Sequence, residues 1–471
     1  MSDNVDYVRP DVEYSQTDWF VVNDVVAGER VLKDKGHEYL PMLNPEDTSD
    51  QNITRNAQYV KRAYFFNATG RTLEGLIGIA FRQPPDVEVP DAMESVKSDV
   101  DGAGGNIVNQ SHRVLESVLK TGRHGLLVDY PSNEQSVSVS DQSNNNIHAT
   151  ILTYQPGQII NWKIGDDRKP SLVVLYELVT ESNDFSDTIV EQWRELRMVE
   201  GNYTVTIWRR KKKNGVLEVY DTYQPTNGSG DYWAWIPFYF IGAIDNDADI
   251  DKGPLLDLAT ANLAHYRNSA DFQDAAFFSG QPQIWVTGAD EHWMNEVQKS
   301  GVYFGSRAIG SAPQGGGVTM LQAAPNMASR ESMQDIAKDM ISLGARLLSN
   351  GEAAKTAEQS RSETAANHSV LSLAVTNVSN AYTRALQDAA LYMRIEGDIE
   401  YVINTDFVGV TVDPQRLAAL IAAWQNGSVP NSDHWANMRS IGVIDAYKTD
   451  EEIEGEIESS GSGLNLGDAE V

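Results

Sequence analysis

The feature that most restricts the possible folds of this chain is a pair of apolar runs at helical spacing, separated by a short polar segment. The first run recurs at intervals of three and four residues and comprises Met333, Ile336, Met340, Leu343 and Leu347. The second run resumes after the segment and comprises Leu371, Val375, Val378, Tyr382, Leu386, Ala389 and Met393. Such spacing gives a helix one apolar stripe. The sequence therefore predicts two long helices joined by small and polar residues.

Another long helix is predicted before this pair, from Pro254 to about Ser279, with one apolar face. Between them, Gly280 to Asn326 contains short β-type runs, a helical stretch from Glu291 to Lys299 and three consecutive glycines. The order is therefore helix, small α/β insertion, helix. An insertion carried at the far end of two helices that run out and back satisfies this order.

The first half of the chain mixes helices with strands. Helices are predicted over Asp18–Lys33 after a Thr17 cap, over Asn56–Phe81, and over Ile107–Thr121 with Gly122 as its stop. A buried strand follows at His124–Pro131, and β-branched and aromatic runs then predict an antiparallel sheet or barrel from about Ile147 to Ile244. The basic run Arg209–Lys213 is interpreted as a hairpin tip, with a nucleic-acid patch as the alternative.

Composition excludes several classes of protein. The chain has 471 residues, which favours two or three lobes. It has no cysteine, so disulfides, thiolate zinc sites and cysteine nucleophiles are excluded. No apolar run is long enough to cross a bilayer, and the start MSDNVDYVRP lacks the features of a signal peptide, so a soluble intracellular protein is expected.

The formal charge of −30, from 37 basic and 67 acidic residues, is unsuited to wrapping DNA, because that binding needs phosphate neutralisation by Lys and Arg. Two interpretations of this charge stay open: the protein could contact DNA without binding it tightly, or the acidic residues could serve only to keep the protein soluble.

No motif identifies a catalytic residue, a cofactor or a metal site. The acidic run Asp245–Gly253 fails the EF-hand register, because Gly at the sixth position and Glu at the twelfth are missing. The eight histidines form no metal-binding pair, and the glycine runs lack the phosphate-loop pattern. An acidic surface loop is the interpretation of Asp245–Gly253.

Five stretches, in matching order, resemble the portal proteins of tailed bacteriophages, in a subgroup long known only as a domain of unknown function. They are RAYFFNATGRTLEGLIGIAFRQPP (62–85), LKTGRHGLLVDYP (119–131), LTYQPGQIINW (152–162), GPLLDLATANLAHYRNSADF (253–272) and ARLLSNGEAAKTAEQSRSE (345–363). With the spacing between them, they cover about residues 55 to 455.

The resemblance implies an α+β portal fold. Its parts would be an N-terminal arm (1–55), a wing of helices and sheet (56–252), two stem helices (253–279 and 327–349), a clip (280–326), a tunnel loop (350–356), a long kinked helix with a wing return (357–413), a helical crown (414–458) and a disordered acidic tail (459–471).

The resemblance also implies a ring of typically twelve identical subunits at one capsid vertex of the virion, assembled in the host cytoplasm. Its partners would be the large terminase, head-tail adaptor or neck proteins, and the major capsid and scaffolding proteins. Double-stranded DNA would pass through the channel without sequence-specific binding during packaging and ejection. No enzymatic activity, cofactor or membrane is implied.

Three groups of site residues follow from the resemblance. The tunnel loop facing DNA would be Asn350, Gly351, Glu352, Ala353, Ala354, Lys355 and Thr356. Candidate channel-facing stem residues are Glu331, Asp335, Lys338, Ser342 and Arg346. Clip residues for terminase or adaptor contact would be Trp285, Glu291, His292, Trp293 and Lys299. An acidic channel wall would leave DNA no deep electrostatic minimum in which to stick.

Two other interpretations stay open at this point. The chain could be a different virion structural protein, such as a head-tail adaptor or capsid component. It could also be an acidic cytoplasmic enzyme that uses carboxylates and Mg²⁺, which would be a monomer or small oligomer.

Overall fold

The computed structural model describes residues 4–129, 148–182, 185–210, 215–280, 283–300, 314–321, 328–348 and 369–405, with isolated positions at 407, 430, 432, 435, 449, 450 and 453. Met1–Thr405 form one unit and Asp406–Val471 a second. The predicted tunnel loop and acidic tail lie outside the described residues, as does the predicted crown apart from isolated positions. The mixture of helices and sheets confirms the α+β class.

The first unit contains the elements named below. The helices are α1 (Pro10–Ala27), α2 (Glu29–Lys35), α3 (Asp50–Arg62), α4 (Ala68–Ala80), α5 (Glu94–Ser98), α6 (Ile107–Thr121), α7 (Leu256–Ser279), α8 (Glu291–Ser300), α9 (Ala328–Leu348) and α10 (Val370–Met393). The strands are β1 (Asp86–Glu88), β2 (Arg123–Asp129), β3 (Thr150–Tyr154), β4 (Ile159–Ile164), β5 (Pro170–Ser182), β6 (Asp187–Val199), β7 (Asn202–Arg210), β8 (Leu217–Tyr223), β9 (Phe238–Gly242), β10 (Gln283–Thr287), β11 (Gly317–Leu321) and β12 (Glu400–Val402).

The predicted antiparallel β region is confirmed and divides into two sheets. One has the strand order β4-β5-β6-β7-β8, and the other has the order β3-β2-β9. The β7–β8 hairpin pairs Arg210 with Leu217, so the basic run lies where a hairpin tip was predicted, although residues 211–214 are outside the described ranges. Arg210 Nη2 donates to Asp6 Oδ2 at 2.8 Å, and Arg209 Nε donates to Gln192 Oε1 at 2.9 Å.

The core lies between the three-stranded sheet, α6 and α10. Strand β2 is buried at every position except its last, and Leu126 and Leu127 are fully inaccessible. The predicted apolar stripe of α10 faces this core, because its members from Leu371 to Ala389 are at most 1% exposed. Tyr382 of α10 donates its hydroxyl to Gln110 Oε1 of α6 at 2.9 Å. Helix α6 and its stop at Gly122 have the predicted bounds.

The prediction of one helix over Asn56–Phe81 is wrong. Instead α3 ends and α4 starts after an extended segment. The side-chain oxygen of Asn67 accepts a hydrogen bond from the Gly70 N–H at 2.8 Å, which caps α4. Oδ1 of Asn262, which belongs to α7, accepts the N–H groups of Ala68 and Thr69 at 3.1 Å each. The break therefore lets a distant helix satisfy N–H groups that a helix start leaves without internal partners.

The prediction of a helix over Asp18–Lys33 is wrong at its start. Helix α1 begins at Pro10, which occupies the first turn, where a missing N–H costs nothing. Thr17 is therefore inside α1 and is not its cap. The chain breaks at Gly28, whose φ of 92° lies in the left-handed region, and α2 continues from there.

The helix–insertion–helix order is confirmed. Strand β10 pairs with β11 in the antiparallel sense, matching Gln283 with Leu321, so the chain returns to the end of α7 and α9 packs along that helix. Asn268 Nδ2 of α7 donates to Ser332 Oγ of α9 at 2.8 Å. The short helix predicted in the insertion is α8.

The helix that the resemblance extends from residue 357 begins at Val370, since Ser369 is extended and its hydroxyl accepts the Ser372 N–H at 3.1 Å. Residues 357–368 lie outside the described ranges.

Candidate functional site

Helix α9 presents two opposite faces. The predicted apolar stripe is turned toward protein, with Met340 and Leu347 buried and Met333, Ile336 and Leu343 half-buried. Spacings of three and four residues put all five on one side of the helix. The stripe predicted from the sequence is therefore confirmed.

The opposite face of α9 carries the candidate channel residues, and all of them are exposed: Glu331, Asp335, Lys338, Ser342 and Arg346. The face holds two acidic and two basic side chains. Lys338 Nζ lies 2.9 Å from Asp335 Oδ1, and both side chains are 75% exposed. An exposed pair of this kind is screened by water and adds little to stability. These groups are therefore free to face a solvent-filled space, although which space they face stays a prediction.

One flank of the same helix is apolar and exposed. Ile341 is 74% exposed and Leu348 is 40% exposed. They are separated by seven residues, so they lie above one another two turns apart. We call Ile341 and Leu348 the apolar flank of α9.

The insertion presents its predicted contact residues at the surface. Trp285 on β10 is 57% exposed, and Val318 and Met320 on β11 are also more than half exposed. Glu291, His292 and Lys299 of α8 are exposed, whereas Trp293 is half-buried. Their contact with terminase or adaptor proteins stays a prediction. The predicted tunnel-loop residues from Asn350 to Thr356 lie outside the described ranges.

Asn262, which the sequence patterns did not single out, attaches α7 to the body. Besides the two backbone N–H groups of α4, its Oδ1 accepts the Thr69 hydroxyl at 3.0 Å, and its Nδ2 donates to the Phe66 carbonyl at 2.9 Å. Asn262 and Thr69 are both fully buried. The only sequence signal is an amide on the apolar face of a predicted helix.

Asp274 is a second attachment point, near the end of α7 that carries the insertion. It accepts Arg55 through two oxygens at 2.9 and 2.6 Å and Arg62 at 2.6 Å. Burial raises the pKa of this carboxyl, but the hydrogen bonds from the two arginines outweigh that effect and leave its pKa below the usual value. The guanidinium groups also stack on Phe278 and Phe277, with centroid distances of 4.6 and 4.2 Å. Helix α3 thus clamps the far part of α7.

The acidic loop after β9 is ordered by protein groups. Arg123, which is 1% exposed, donates Nη1 to the carbonyls of Ala248 and Asp249 at 3.0 and 2.9 Å. Its guanidinium lies between Trp162 and Phe240, and burial lowers its pKa to about 10. Within the described ranges, no group of three or more His, Asp or Glu side chains is placed to hold a metal ion.

Among the helices that the structure describes, none combines the length and the apolar character needed to cross a bilayer.

Residues 254–393 match the model of a family described as a domain of unknown function (DUF4055). The match begins just before α7 and ends at the last residue of α10, so it contains both long helices and the insertion between them. The chain matches no curated protein.

Proposed function

We propose that this chain is the subunit of a bacteriophage portal, a ring at one capsid vertex through which double-stranded DNA is packaged and later ejected. The insertion between α7 and α9 would receive terminase during packaging and the neck or adaptor proteins afterwards. The protein would act as a conduit, and the chemical work of packaging would belong to terminase.

The observation that carries this proposal is the helical hairpin of α7 and α9 with a small α/β element at its end. Helix α7 has 24 residues, which corresponds to about 36 Å at 1.5 Å per residue. Asn262 and Asp274 attach one side of this hairpin to the body. Such a rod has the length and the fixed orientation needed to form part of a channel wall.

The two surfaces of α9 support the same proposal. In a ring, its charged face would point to the lumen and its apolar flank would meet the next subunit. Burying one large aliphatic side chain contributes about 1.5 to 3 kcal/mol, so repeated contacts through Ile341 would favour closure of the ring. Cyclic symmetry would then repeat each lumen-facing side chain as a ring of identical groups.

Mass photometry and negative-stain microscopy of the purified full-length chain test the proposal. We expect a closed particle with a central hole and a mass equal to a whole multiple of the subunit mass. The proposal would be contradicted if the purified protein were a monomer or a small oligomer without a central hole.

Paired variants test the apolar flank. Ile341→Asp should reduce the fraction of rings strongly, because it places a charge in the subunit contact, whereas Ser342→Asp alters the adjacent charged face and should leave assembly unchanged. Equal assembly of both variants would show that the flank does not form the contact between subunits.

A further inference from the structure

A cavity of about 610 Å³ lies between the β4–β5 turn, strand β9, the acidic loop and α10. Its lining residues all belong to the first unit and to described ranges. Small-molecule sites in proteins have volumes of roughly 300 to 1,000 Å³, and they combine apolar walls with a few converging polar groups. The cavity has both properties.

Asp388 lines the cavity and is a buried carboxyl, 4% exposed. Tyr239 donates its hydroxyl to Oδ2 at 2.5 Å, and Trp235 donates Nε1 to the same oxygen at 3.3 Å. From the residues that the structure describes, Oδ1 receives no hydrogen bond. Oδ1 is not sealed from the cavity that Asp388 lines, so this oxygen is available to accept an N–H or O–H group of a bound molecule.

The walls of the cavity are aromatic and fixed. Trp235, Phe238, Tyr239 and Phe240 line it. Trp235 is held by an edge-on contact with Trp233, at a centroid distance of 5.0 Å. Flat aromatic side chains stack on planar rings of many kinds, including the bases of nucleic acids.

The rim of the cavity carries three cations: Arg168, Lys169 and Arg384. All three are exposed, and none of them forms an ion pair with a side chain in the described part of the chain. Lys169 Nζ lies 5.4 Å from the centroid of the Trp235 ring, so one cation is held directly above an aromatic wall. The other part of the rim is acidic, with Asp247 and Asp249. An anionic group would therefore sit on the Arg168, Lys169 and Arg384 side of the rim.

We propose that this cavity binds a nucleotide whose base carries an exocyclic amino group. The amino group would donate to Asp388 Oδ1, the base would pack against the aromatic walls, and the phosphate would bind the three rim cations. A single open oxygen matches one amino donor, as in adenine or cytosine, whereas the two adjacent donors of guanine would need both carboxylate oxygens. The site is independent of ring formation, since its lining belongs to one subunit.

Calorimetric titration of the full-length protein tests the proposal with AMP, CMP, inosine monophosphate, adenosine and inorganic phosphate as probes. AMP or CMP should bind. Inosine monophosphate has a carbonyl in place of the amino group, and adenosine lacks the phosphate. We expect the affinity for each to be at least about ten-fold lower than that for AMP. Binding of inorganic phosphate as tight as that of AMP, or no binding of AMP and CMP up to millimolar concentration, would overturn the proposal.

Two variants separate recognition from folding. Asp388→Asn keeps an oxygen for Tyr239 and turns an amide N–H toward the cavity, so it should reverse the preference from AMP to inosine monophosphate. Arg384→Gln should weaken AMP binding by about ten-fold and leave adenosine binding unchanged, because only the phosphate contact is lost. Arg346→Gln on the exposed face of α9 is the matched control and should bind AMP like the unaltered protein. An unchanged order of preference in Asp388→Asn would refute the assignment.

Discussion

Replacing Asn262 with alanine should destabilise the protein severely. One buried amide makes four hydrogen bonds to the start of α4, and alanine can replace none of them. The substitution leaves the N–H and the hydroxyl of Thr69 without partners at a site where Asn262 and Thr69 are fully buried. The Ala68 N–H and the Phe66 carbonyl keep the hydrogen bond that they form with each other at 2.8 Å.

The magnitude follows from these two polar groups of Thr69. Each buried polar group that loses its partner costs about 1 to 3 kcal/mol. Water that enters the space left by the amide will satisfy part of this loss, so the lower half of the range applies. We expect the free energy of unfolding to fall by about 3 kcal/mol.

Urea unfolding followed by tryptophan fluorescence measures the loss, and hydrogen exchange locates it. Exchange of the Thr69 N–H should accelerate in Asn262→Ala. Thr260→Ala is the control on the same helix, because its exposed hydroxyl donates to the Leu256 carbonyl of its own helix, and we expect a change below about 0.5 kcal/mol. A loss below about 1 kcal/mol in Asn262→Ala, with unchanged exchange in α4, would refute the role given to the amide.

Two carboxylates give predictions of opposite sign. Burial raises the pKa of Asp388 from 3.8 to about 6, so the stability it contributes is full below pH 4 and is lost as the pH rises through 6. Between pH 4 and 8 the unaltered protein should lose about 3 kcal/mol relative to Asp388→Asn, as measured by urea unfolding across pH; a constant difference would contradict this. Asp274 has a lowered pKa, so its contribution is present above pH 4 and is lost as the pH falls through its folded-state value. Asp274→Asn should cost about 2 kcal/mol at pH 7 and accelerate hydrogen exchange in α3, and unchanged exchange there would argue against the clamp.

Elements with local signals were predictable from the sequence. The bounds of α6 follow from its apolar spacing and from Gly122, which adopts φ 73° at the helix end. The buried stripes of α9 and α10 follow from spacing alone, because a helix with one apolar face has one way to bury it. The alternation of β-branched and aromatic runs likewise predicted the antiparallel strands.

Elements fixed by distant partners were not predictable. The apolar pattern continues across the junction of α3 and α4, and the group that favours the break is Asn262, which is 194 positions from Ala68 in sequence. The cavity has the same character, since Asp388 meets Tyr239 across 149 positions and Trp235 across 153. The chain has 67 acidic residues, and no local sequence feature distinguishes Asp388 from the others.

The charged face of α9 changes the electrostatic argument that the composition suggests. A net charge of −30 favours an acidic channel wall, yet this face places Glu331 and Asp335 beside Lys338 and Arg346, so its formal charges cancel. Glu331 and Arg346 are 15 residues apart, or about 22 Å along the helix. In the proposed ring, DNA would meet two acidic bands and then two basic bands within that length, and the Asp335 and Lys338 bands, about 4.5 Å apart along the helix, lie within one Debye length of each other. Attraction of phosphate to the basic bands is then offset by repulsion from the acidic bands beside them, so this balance alone makes a binding minimum shallower, and the acidic excess of the chain is not needed on this surface.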